Sequence, residues 1–218
     1  IFEYILSQIK QAGELGQFRT PRNIIDFLIN IAKPKLGEKI YDPAIGTGGF
    51  VISSFNYIKL INSSKNSIST EKIDNRKINR GIGDKLNRKE FEILLTDTFF
   101  GHDVDPKMVK LAKMNLILRG MEKVNIVKEN TITENMTQEY MKSINFPYKF
   151  DLVLANPPFS GTIDKARITD EVKVGTTSGT QVLFIKRILL SLNTNGRCCV
   201  IVPEGVLYST SKSYRILR

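Results

Sequence analysis

The stretch EKIYDPAIGTGGF, residues 38–50, places Gly46, Gly48 and Gly49 between a short apolar strand and the start of a helix. Glycine lets a backbone turn tightly and approach a ligand closely, because no side chain stands in the way. No Gly-Lys-Ser/Thr follows, which excludes a phosphate-binding P-loop, and the spacing differs from the G-x-G-x-x-G dinucleotide fingerprint. The stretch therefore predicts a strand–turn–helix unit that binds a nucleotide-type ligand.

The rest of the chain repeats this alternation of strands and helices. Strands are predicted at 38–42, 98–104, 123–129, 150–155 and 196–202. Helices are predicted at 1–15, 21–32, 49–60, 105–120 and 181–192. Thr20 is the expected N-cap of the second helix, with Pro21 as its first helical residue. This order predicts an α/β fold, doubly wound around a mostly parallel sheet.

Polar residues follow two further predicted strands. In parallel sheets ligands bind at the carboxyl ends of the strands, so these residues are expected to meet the glycine turn. Asp103 ends the second strand, where a carboxylate in nucleoside-binding folds accepts hydrogen bonds from the ribose hydroxyls. Asp105 and Pro106 are expected to begin the next helix, and His102, the only histidine, is expected to be a strand residue without a catalytic role.

The segment FDLVLANPPF, residues 150–159, ends a buried strand on an amide and two prolines. Proline cannot continue a sheet ladder and fixes its own φ near −65°, and it favours an extended conformation of the preceding Asn156. The result is a rigid strand end that holds an amide, carbonyl groups and an aromatic ring. Such rigidity indicates that a substrate is positioned there.

The chain is basic, with 32 Lys and Arg against 22 Asp and Glu and a net charge of +10. A basic balance fits a polyanionic partner without identifying one. Residues 62–90 contain eight basic and four acidic residues and show no apolar periodicity. They are expected to form an exposed insertion or mobile loop, which either contacts such a polyanionic partner or is a spacer without a partner.

The two cysteines, Cys198 and Cys199, are adjacent and lack the spacing of metal ligands. They are expected to be small buried residues in a reducing compartment, and no metal site is expected. No apolar run reaches the roughly 20 residues of a membrane span, and no signal peptide is recognisable, so a cytoplasmic protein without membrane contact is expected.

Four motifs occur in a characteristic order: GQFRTP at 16–21, DPAIGTGGF at 42–50, GHDVDP at 101–106 and NPPF at 156–159. Together they resemble the N6-adenine DNA methyltransferases, and more closely the modification subunit of type I restriction-modification systems. The resemblance extends from Gly16 to Leu207. It implies one Rossmann-like methyltransferase catalytic domain over 1–218, without a separate target-recognition domain. It also implies two further antiparallel strands, so the sheet is expected to be truncated before that final hairpin.

The resemblance implies S-adenosylmethionine as methyl donor and no metal. The residues assigned to this cofactor are Gln17, Phe18, Arg19, Thr20, Pro21, Arg22, Asp42, Ala44, Gly46, Thr47, Gly48, Gly49, Asp103 and Asn130. Two positions depart from the family pattern. Ile45 replaces a smaller residue, which is expected to be tolerated beside a glycine turn. Asn130 stands where an acid commonly holds the adenine amino group; its amide oxygen can still accept that bond, so weaker cofactor binding is expected.

The resemblance also assigns Asn156, Pro157, Pro158 and Phe159 to catalysis. The Asn156 oxygen and the Pro157 carbonyl are expected to accept hydrogen bonds from the amine of a flipped adenine and to aim its lone pair at the methyl carbon. Phe159 offers a stacking face, and the prolines keep the strand end rigid.

The implied partners are double-stranded DNA and the specificity and restriction subunits of the same system. Two alternatives remain open from the residues. One is a methyltransferase acting on protein glutamine or RNA, because protein-glutamine methyltransferases carry a similar Asn-Pro-Pro-Tyr. The other is a non-catalytic cofactor-binding scaffold within a restriction complex.

Overall fold

The computed structural model describes residues 20–217 except residues 74, 75, 122 and 160. The helix predicted at 1–15 lies outside the described residues. The strands are β1 (Ile40–Asp42), β2 (Ile68–Ile73), β3 (Arg76–Gly81), β4 (Phe99–Asp103), β5 (Asn125–Lys128), β6 (Phe150–Ala155) and β7 (Leu192–Val200). The helices are α1 (Arg22–Ala32), α2 (Gly49–Ile61), α3 (Arg88–Thr96), α4 (Pro106–Ile117), α5 (Gln138–Ser143), α6 (Thr180–Ser191), α7 (Gly205–Tyr208) and α8 (Lys212–Leu217). Short 3₁₀ turns occupy Lys65–Ser67, Lys165–Arg167 and Asp170–Val172.

The main sheet contains five strands in the order β5-β4-β1-β6-β7, and every neighbouring pair is parallel. Alternate residues of each central strand point to opposite faces. Ile40 and Leu152 pack with α1 to α4 on one face, whereas Tyr41 and Val153 pack with α5 and α6 on the other. Helices thus cover both faces of a parallel sheet, which confirms the predicted doubly wound α/β class.

Helix α1 begins and ends differently from what its sequence predicts. Pro21 is the N-cap residue and makes no side-chain capping bond, so the prediction of Thr20 as N-cap is wrong. At the other end, Lys33 adopts a left-handed conformation and its N–H bonds to the Ile29 carbonyl. The guanidinium of Arg197 in β7 donates to the Ala32 carbonyl at 2.9 Å and so attaches the end of α1 to the sheet.

Most of the described residues in the range 62–90 form regular structure, and the prediction of a loop is corrected. Strands β2 and β3 make an antiparallel hairpin, with Thr70 opposite Asn79. Gly81 lies so close to α2 that an added Cβ would come within 2.7 Å of the Leu60 Cα. Helix α2 runs antiparallel to the strands for 13 residues, roughly 20 Å. The hairpin therefore lies near the amino-terminal ends of the sheet strands, opposite the glycine turn.

The cysteines are less buried than predicted. Cys198 is exposed and Cys199 is partly exposed, because β7 is one of the two edge strands of the sheet among the described residues. In the part of the chain that the structure describes, no helix has the length and apolarity needed to cross a bilayer.

Candidate active site

The glycine turn closes at the carboxyl end of β1. The N–H of Ile45 donates to the His102 carbonyl at 2.9 Å, and the N–H of Gly48 donates to the Ile45 carbonyl at 2.9 Å. Gly46 has a φ of 53° and Gly48 a φ of 84°, which is the left-handed region that glycine adopts without strain. Around Gly46 an added Cβ would meet no atom within 4 Å, so this side of the turn is open.

Ile45 is accommodated by a glycine in the neighbouring strand. Its side chain is buried, and a Cβ added to Gly101 would lie 2.4 Å from the Ile45 Cδ1. Gly101 therefore provides the space that the larger residue needs. The departure of Ile45 from the family pattern is compensated inside the fold.

Asp103 is bonded to the glycine turn. Its Oδ2 accepts the Gly46 N–H at 2.9 Å, and its Oδ1 accepts the Asp105 N–H at 2.9 Å. Burial raises the pKa of Asp103, and backbone hydrogen bonds from Asp105, Gly46 and Val104 oppose this effect. The carboxylate thus holds the turn against β4 while each oxygen keeps one further lone pair for a ligand. Asp105 caps α4 by accepting the Lys107 N–H at 2.8 Å, as predicted.

Asp42 lies below the turn and is 2% exposed. Its Oδ1 accepts the Ala44 N–H at 3.0 Å. Burial raises the pKa of Asp42 to about 8, with a further contribution from the charge of Asp103. Asp42 is therefore a structural group of the turn whose charge state changes near neutral pH.

Asn115 of α4 holds the turn from the helix side, which the sequence did not indicate as a site contact. Its Nδ2 donates to the Thr47 carbonyl at 2.9 Å, and the side chain is buried. A buried amide on the apolar side of an amphipathic helix is the sequence signal that could have identified it. Asn115 fixes the carbonyl of the residue between Gly46 and Gly48.

The NPPF segment follows β6, which is adjacent to β1 in the sheet. Asn156 donates from its Nδ2 to the Thr20 Oγ1 at 2.8 Å. Its Oδ1 is buried and has no hydrogen-bond partner among the described residues. A buried carbonyl oxygen without a donor is uncommon in folded proteins and costs about 1–3 kcal/mol. A ligand with an N–H group could complete the hydrogen bonding of this oxygen.

Helix α6 holds the residues after Asn156. The Thr180 Oγ1 is 3.4 Å from the Pro158 carbonyl, and the Gln181 amide donates to the Phe159 carbonyl. Tyr214 in turn donates to the Gln181 Oε1 at 2.8 Å. Pro157 is buried, whereas the Phe159 ring is 40% exposed and available for stacking.

Asn130 follows β5, but its amide oxygen is bonded to its own backbone turn. The Oδ1 accepts the Ile132 N–H at 3.0 Å and the Thr133 N–H at 3.3 Å. An adenine contact through this oxygen would have to displace one of these bonds, and the assignment of Asn130 to the cofactor stays a prediction. The buried Arg187 of α6 supports the same turn by donating to the Thr131 carbonyl at 2.7 Å, a contact that the sequence did not predict.

His102 is a buried residue of β4, as predicted. Its Nδ1 shares a hydrogen bond of 2.8 Å with the Tyr41 hydroxyl. Burial lowers the pKa of His102 to about 3, so the ring is neutral at physiological pH. It serves the packing beneath the site.

The structure brings Thr20 to Asn156 and Gly46 to Asp103. Gln17, Phe18 and Arg19 lie outside the described residues, and their assignment stays a prediction. Within the described residues, no three His, Cys, Asp or Glu side chains are grouped as metal ligands. The expectation of chemistry without a metal likewise stays a prediction.

Known proteins share sequence and fold with this chain. The family model for N-6 DNA methylases matches residues 1–218. The type I restriction enzyme EcoEI methylase subunit of Escherichia coli is 30% identical over 217 residues, which are 99% of this chain and 38% of that protein. The chain therefore spans about two fifths of the length of this curated relative.

Solved structures show the same likeness. The type I restriction enzyme EcoKI M protein has a TM-score of 0.65 and 26% identity, covering 90% of this chain and 36% of that one. A chain from a structure that describes the assembly of the type I restriction-modification system has a TM-score of 0.67 and 26% identity, covering 92% and 35%. Because the family model matches residues 1–218 of this chain, the chain belongs to the N-6 DNA methylase family.

Proposed function

We propose that the chain is the methyltransferase part of a type I modification subunit. It transfers a methyl group from S-adenosylmethionine to the N6 amine of adenine in DNA. The observation that carries this proposal is the Asn156 Oδ1, which is buried and lacks a donor at the carboxyl end of β6. An adenine amine supplies the missing N–H group.

Asn156 acts by accepting a hydrogen bond from that amine. The N6 lone pair is delocalised into the adenine ring, so the free amine is a poor nucleophile. An acceptor held in place by neighbouring prolines favours the form of the amine in which the lone pair is localised on nitrogen and can attack the methyl carbon. Pro157 offers its carbonyl as a second acceptor, and Phe159 offers an exposed ring on which a flipped base can stack.

The glycine turn fits the nucleoside part of S-adenosylmethionine. The space next to the Gly46 Cα is unoccupied, so a ligand can approach the backbone there. The Asp103 carboxylate, which bonds to the Gly46 N–H, can also accept hydrogen bonds from ribose hydroxyls. When bound, S-adenosylmethionine supplies an electrophilic methyl group on a positively charged sulfur. Residues 17–22 are proposed to cover its methionine part. The other residues assigned to the cofactor shape the turn or lie in the loop after β5, namely Asp42, Ala44, Thr47, Gly48, Gly49 and Asn130.

The proposed partners are double-stranded DNA and the specificity and restriction subunits of the same system. The named relatives are subunits of such systems, and the net charge of +10 suits a polyanion. A cytoplasmic location, where chromosomal DNA is found, follows from this function. Family membership does not favour transfer to protein glutamine or RNA.

Transfer of a tritiated methyl group tests the function directly. The full-length subunit, with and without the specificity subunit, is incubated with S-adenosylmethionine and duplex DNA, and the digested nucleosides are separated. The expected product is N6-methyladenine, which forms only in the assembled complex. Label in RNA or protein, or no label in DNA, would contradict the proposal.

A further inference from the structure

Thr20 contacts the catalytic amide across a separation of 136 residues. The Thr20 Oγ1 accepts the hydrogen bond that Asn156 donates from Nδ2, at 2.8 Å. The other end of the same amide, Oδ1, is the buried oxygen without a partner among the described residues. One side chain thus joins the start of α1 to the strand end that receives the substrate.

The hydroxyl of Thr20 is available for this contact because α1 does not use it. Pro21 takes the N-cap position with a φ of −56° and a ψ of 140°. The N–H groups of Ile24 and Ile25, in the first turn of the helix, both donate to the Pro21 carbonyl. A threonine that looks like a helix cap in the sequence therefore has its side chain free to accept from Asn156.

The place of Thr20 is determined by packing. Ile25 and Ile29 are buried in the main core, and a Cβ added to Gly49 would lie only 2.9 Å from the Ile25 Cδ1. At the other end of α1, Arg197 bonds to the Ala32 carbonyl. Because both ends of α1 are held, the Thr20 hydroxyl is a fixed acceptor beside Asn156.

A carboxamide presents different groups on its two sides, and a half turn about its terminal torsion exchanges them. With the NH2 group turned toward the substrate amine, two donors would face each other and the acceptor would be absent. We propose that Thr20 is a positioning residue, whose hydroxyl holds the Asn156 NH2 group and thereby directs Oδ1 toward the adenine amine. This inference rests on the proposed function and adds to it a residue that acts through Asn156.

Variants of Thr20 in the full-length subunit, assembled with its specificity subunit, test the inference by single-turnover methylation. Thr20→Val removes the hydroxyl with little change of shape and is expected to lower the rate about 3- to 10-fold, the effect of one hydrogen bond. Thr20→Ser keeps the hydroxyl and is expected to restore the rate. The matched control is Thr96→Val, which removes a hydroxyl that bonds to the Glu92 carbonyl in α3; its rate is expected to match wild type.

A double variant tests whether Thr20 affects the rate only through the Asn156 side chain. If Thr20 acts by orienting Asn156, Thr20→Val in an Asn156→Ala background lowers the rate no further. Rates are compared at saturating S-adenosylmethionine, because Thr20 is also among the residues proposed to cover the methionine part of the cofactor. The KM for DNA is expected to remain within about twofold of wild type, as a purely positional effect requires.

Three results would overturn the inference while leaving the proposed function in place. They are a Thr20→Val rate equal to wild type, a weaker cofactor affinity with an unchanged rate, and an additive loss in the double variant. Failure of the proposed function has a different signature, because the wild-type complex then forms no N6-methyladenine. Thermal unfolding of each variant shows whether a rate change follows from a loss of structure.

Discussion

The polar side chains at the two strand ends that form the site differ in how completely they are hydrogen-bonded within the chain. At the glycine turn, Asp103 accepts the N–H groups of Gly46 and Asp105, and Asp42 accepts that of Ala44. At the end of β6, Asn156 donates one hydrogen bond through nitrogen and leaves its buried oxygen without a donor among the described residues. Hydrogen bonds within the chain fix the shape of the glycine turn. At the end of β6, in contrast, the Asn156 oxygen can still accept a hydrogen bond from a substrate.

This contrast predicts different consequences for the same kind of substitution. Removing a side chain from the turn breaks bonds that exist in the folded chain, so stability and cofactor affinity change together. Removing the Asn156 side chain breaks the bond to Thr20 and one bond that forms only with substrate, so the rate changes most.

The largest effect is expected for Asn156→Ala in the assembled enzyme. The single-turnover methylation rate should fall about 10²- to 10³-fold, as for the loss of one preorganised hydrogen-bonding group. Stability and cofactor affinity should remain nearly unchanged, because Asn156 is only partly buried as a residue and lies outside the apolar core clusters. Asn79→Ala in the hairpin, which removes an amide bonded to Thr70, is the control and should keep the wild-type rate. A rate within a few-fold of wild type for Asn156→Ala would make the amide structural.

A smaller effect, divided between binding and stability, is expected for Asp103→Ala. Calorimetry should show S-adenosylmethionine binding about 10- to 100-fold more weakly, the effect of losing hydrogen bonds to a charged group. Unfolding in urea should show a loss of about 1–3 kcal/mol, because the N–H groups of Gly46 and Asp105 lose their acceptor.

Asp151→Ala is the matched control for Asp103→Ala. Its carboxylate also accepts a backbone N–H, that of Lys39 at 2.8 Å. This contact lies at the amino-terminal ends of β1 and β6, away from the glycine turn. This variant should lose stability and keep its cofactor affinity. Equal cofactor affinities for both variants would remove Asp103 from the binding site.

The pH dependence of stability should reveal the buried carboxyl below the turn. Burial raises the pKa of Asp42 from 3.8 to about 8, so the folded chain keeps a proton that the unfolded chain releases. Its contribution to stability is complete below about pH 4 and decreases as the pH rises toward 8, by at most about 1.4 kcal/mol per pH unit. Asp42→Asn retains an oxygen for the Ala44 N–H but cannot titrate, so its stability should depend less on pH. Urea unfolding between about pH 5 and pH 8 tests this, and parallel curves for both proteins would contradict it.

The smallest effect is expected at the hairpin. Lys72 and Lys77 are exposed and directly opposite each other across β2 and β3, and like charges in such a pair repel. If they contact DNA phosphates, replacing both with glutamine should reduce the slope of log K against log salt by about 0.9 for each phosphate that is no longer neutralised. The methylation rate at saturating DNA should not change, because the hairpin lies near the amino-terminal ends of the sheet strands and Asn156 lies at a carboxyl end. An unchanged salt slope would identify the hairpin as a spacer.

The elements that position the site could be predicted where the sequence pattern is local. The run FDLVLA forms β6, with Leu152 to Ala155 fully buried, and Asp105 with Pro106 begins α4. The hairpin at 68–81 escapes prediction because its cross-strand contacts are polar, such as Arg80 with Glu71, and leave no apolar alternation. The exposure of Cys198 escapes it too, because the apolar run around this residue does not reveal that its strand lies outermost.

Three contacts within the site could not be predicted, because each joins residues distant in sequence. The hydroxyl of Thr20 has an obvious local role as a helix cap, and only the fold places it beside Asn156. Asn115 reaches the Thr47 carbonyl over 68 residues, and Arg187 reaches the Thr131 carbonyl over 56. Residue types and motifs therefore identify which strand ends matter, while the choice of hydrogen-bond partner depends on tertiary packing.

The bond from Arg197 to the end of α1 has a consequence for the order in which the protein becomes competent. Ala32 and Arg197 are 165 residues apart, so a ribosome adding about 5–20 residues per second finishes the second roughly 10 to 30 s after the first. Until then α1 lacks its attachment to β7, and Thr20 has no fixed place beside Asn156. A nascent chain that has already completed the glycine turn and the NPPF segment thus lacks a fixed Thr20–Asn156 contact until its fifth sheet strand has emerged and paired.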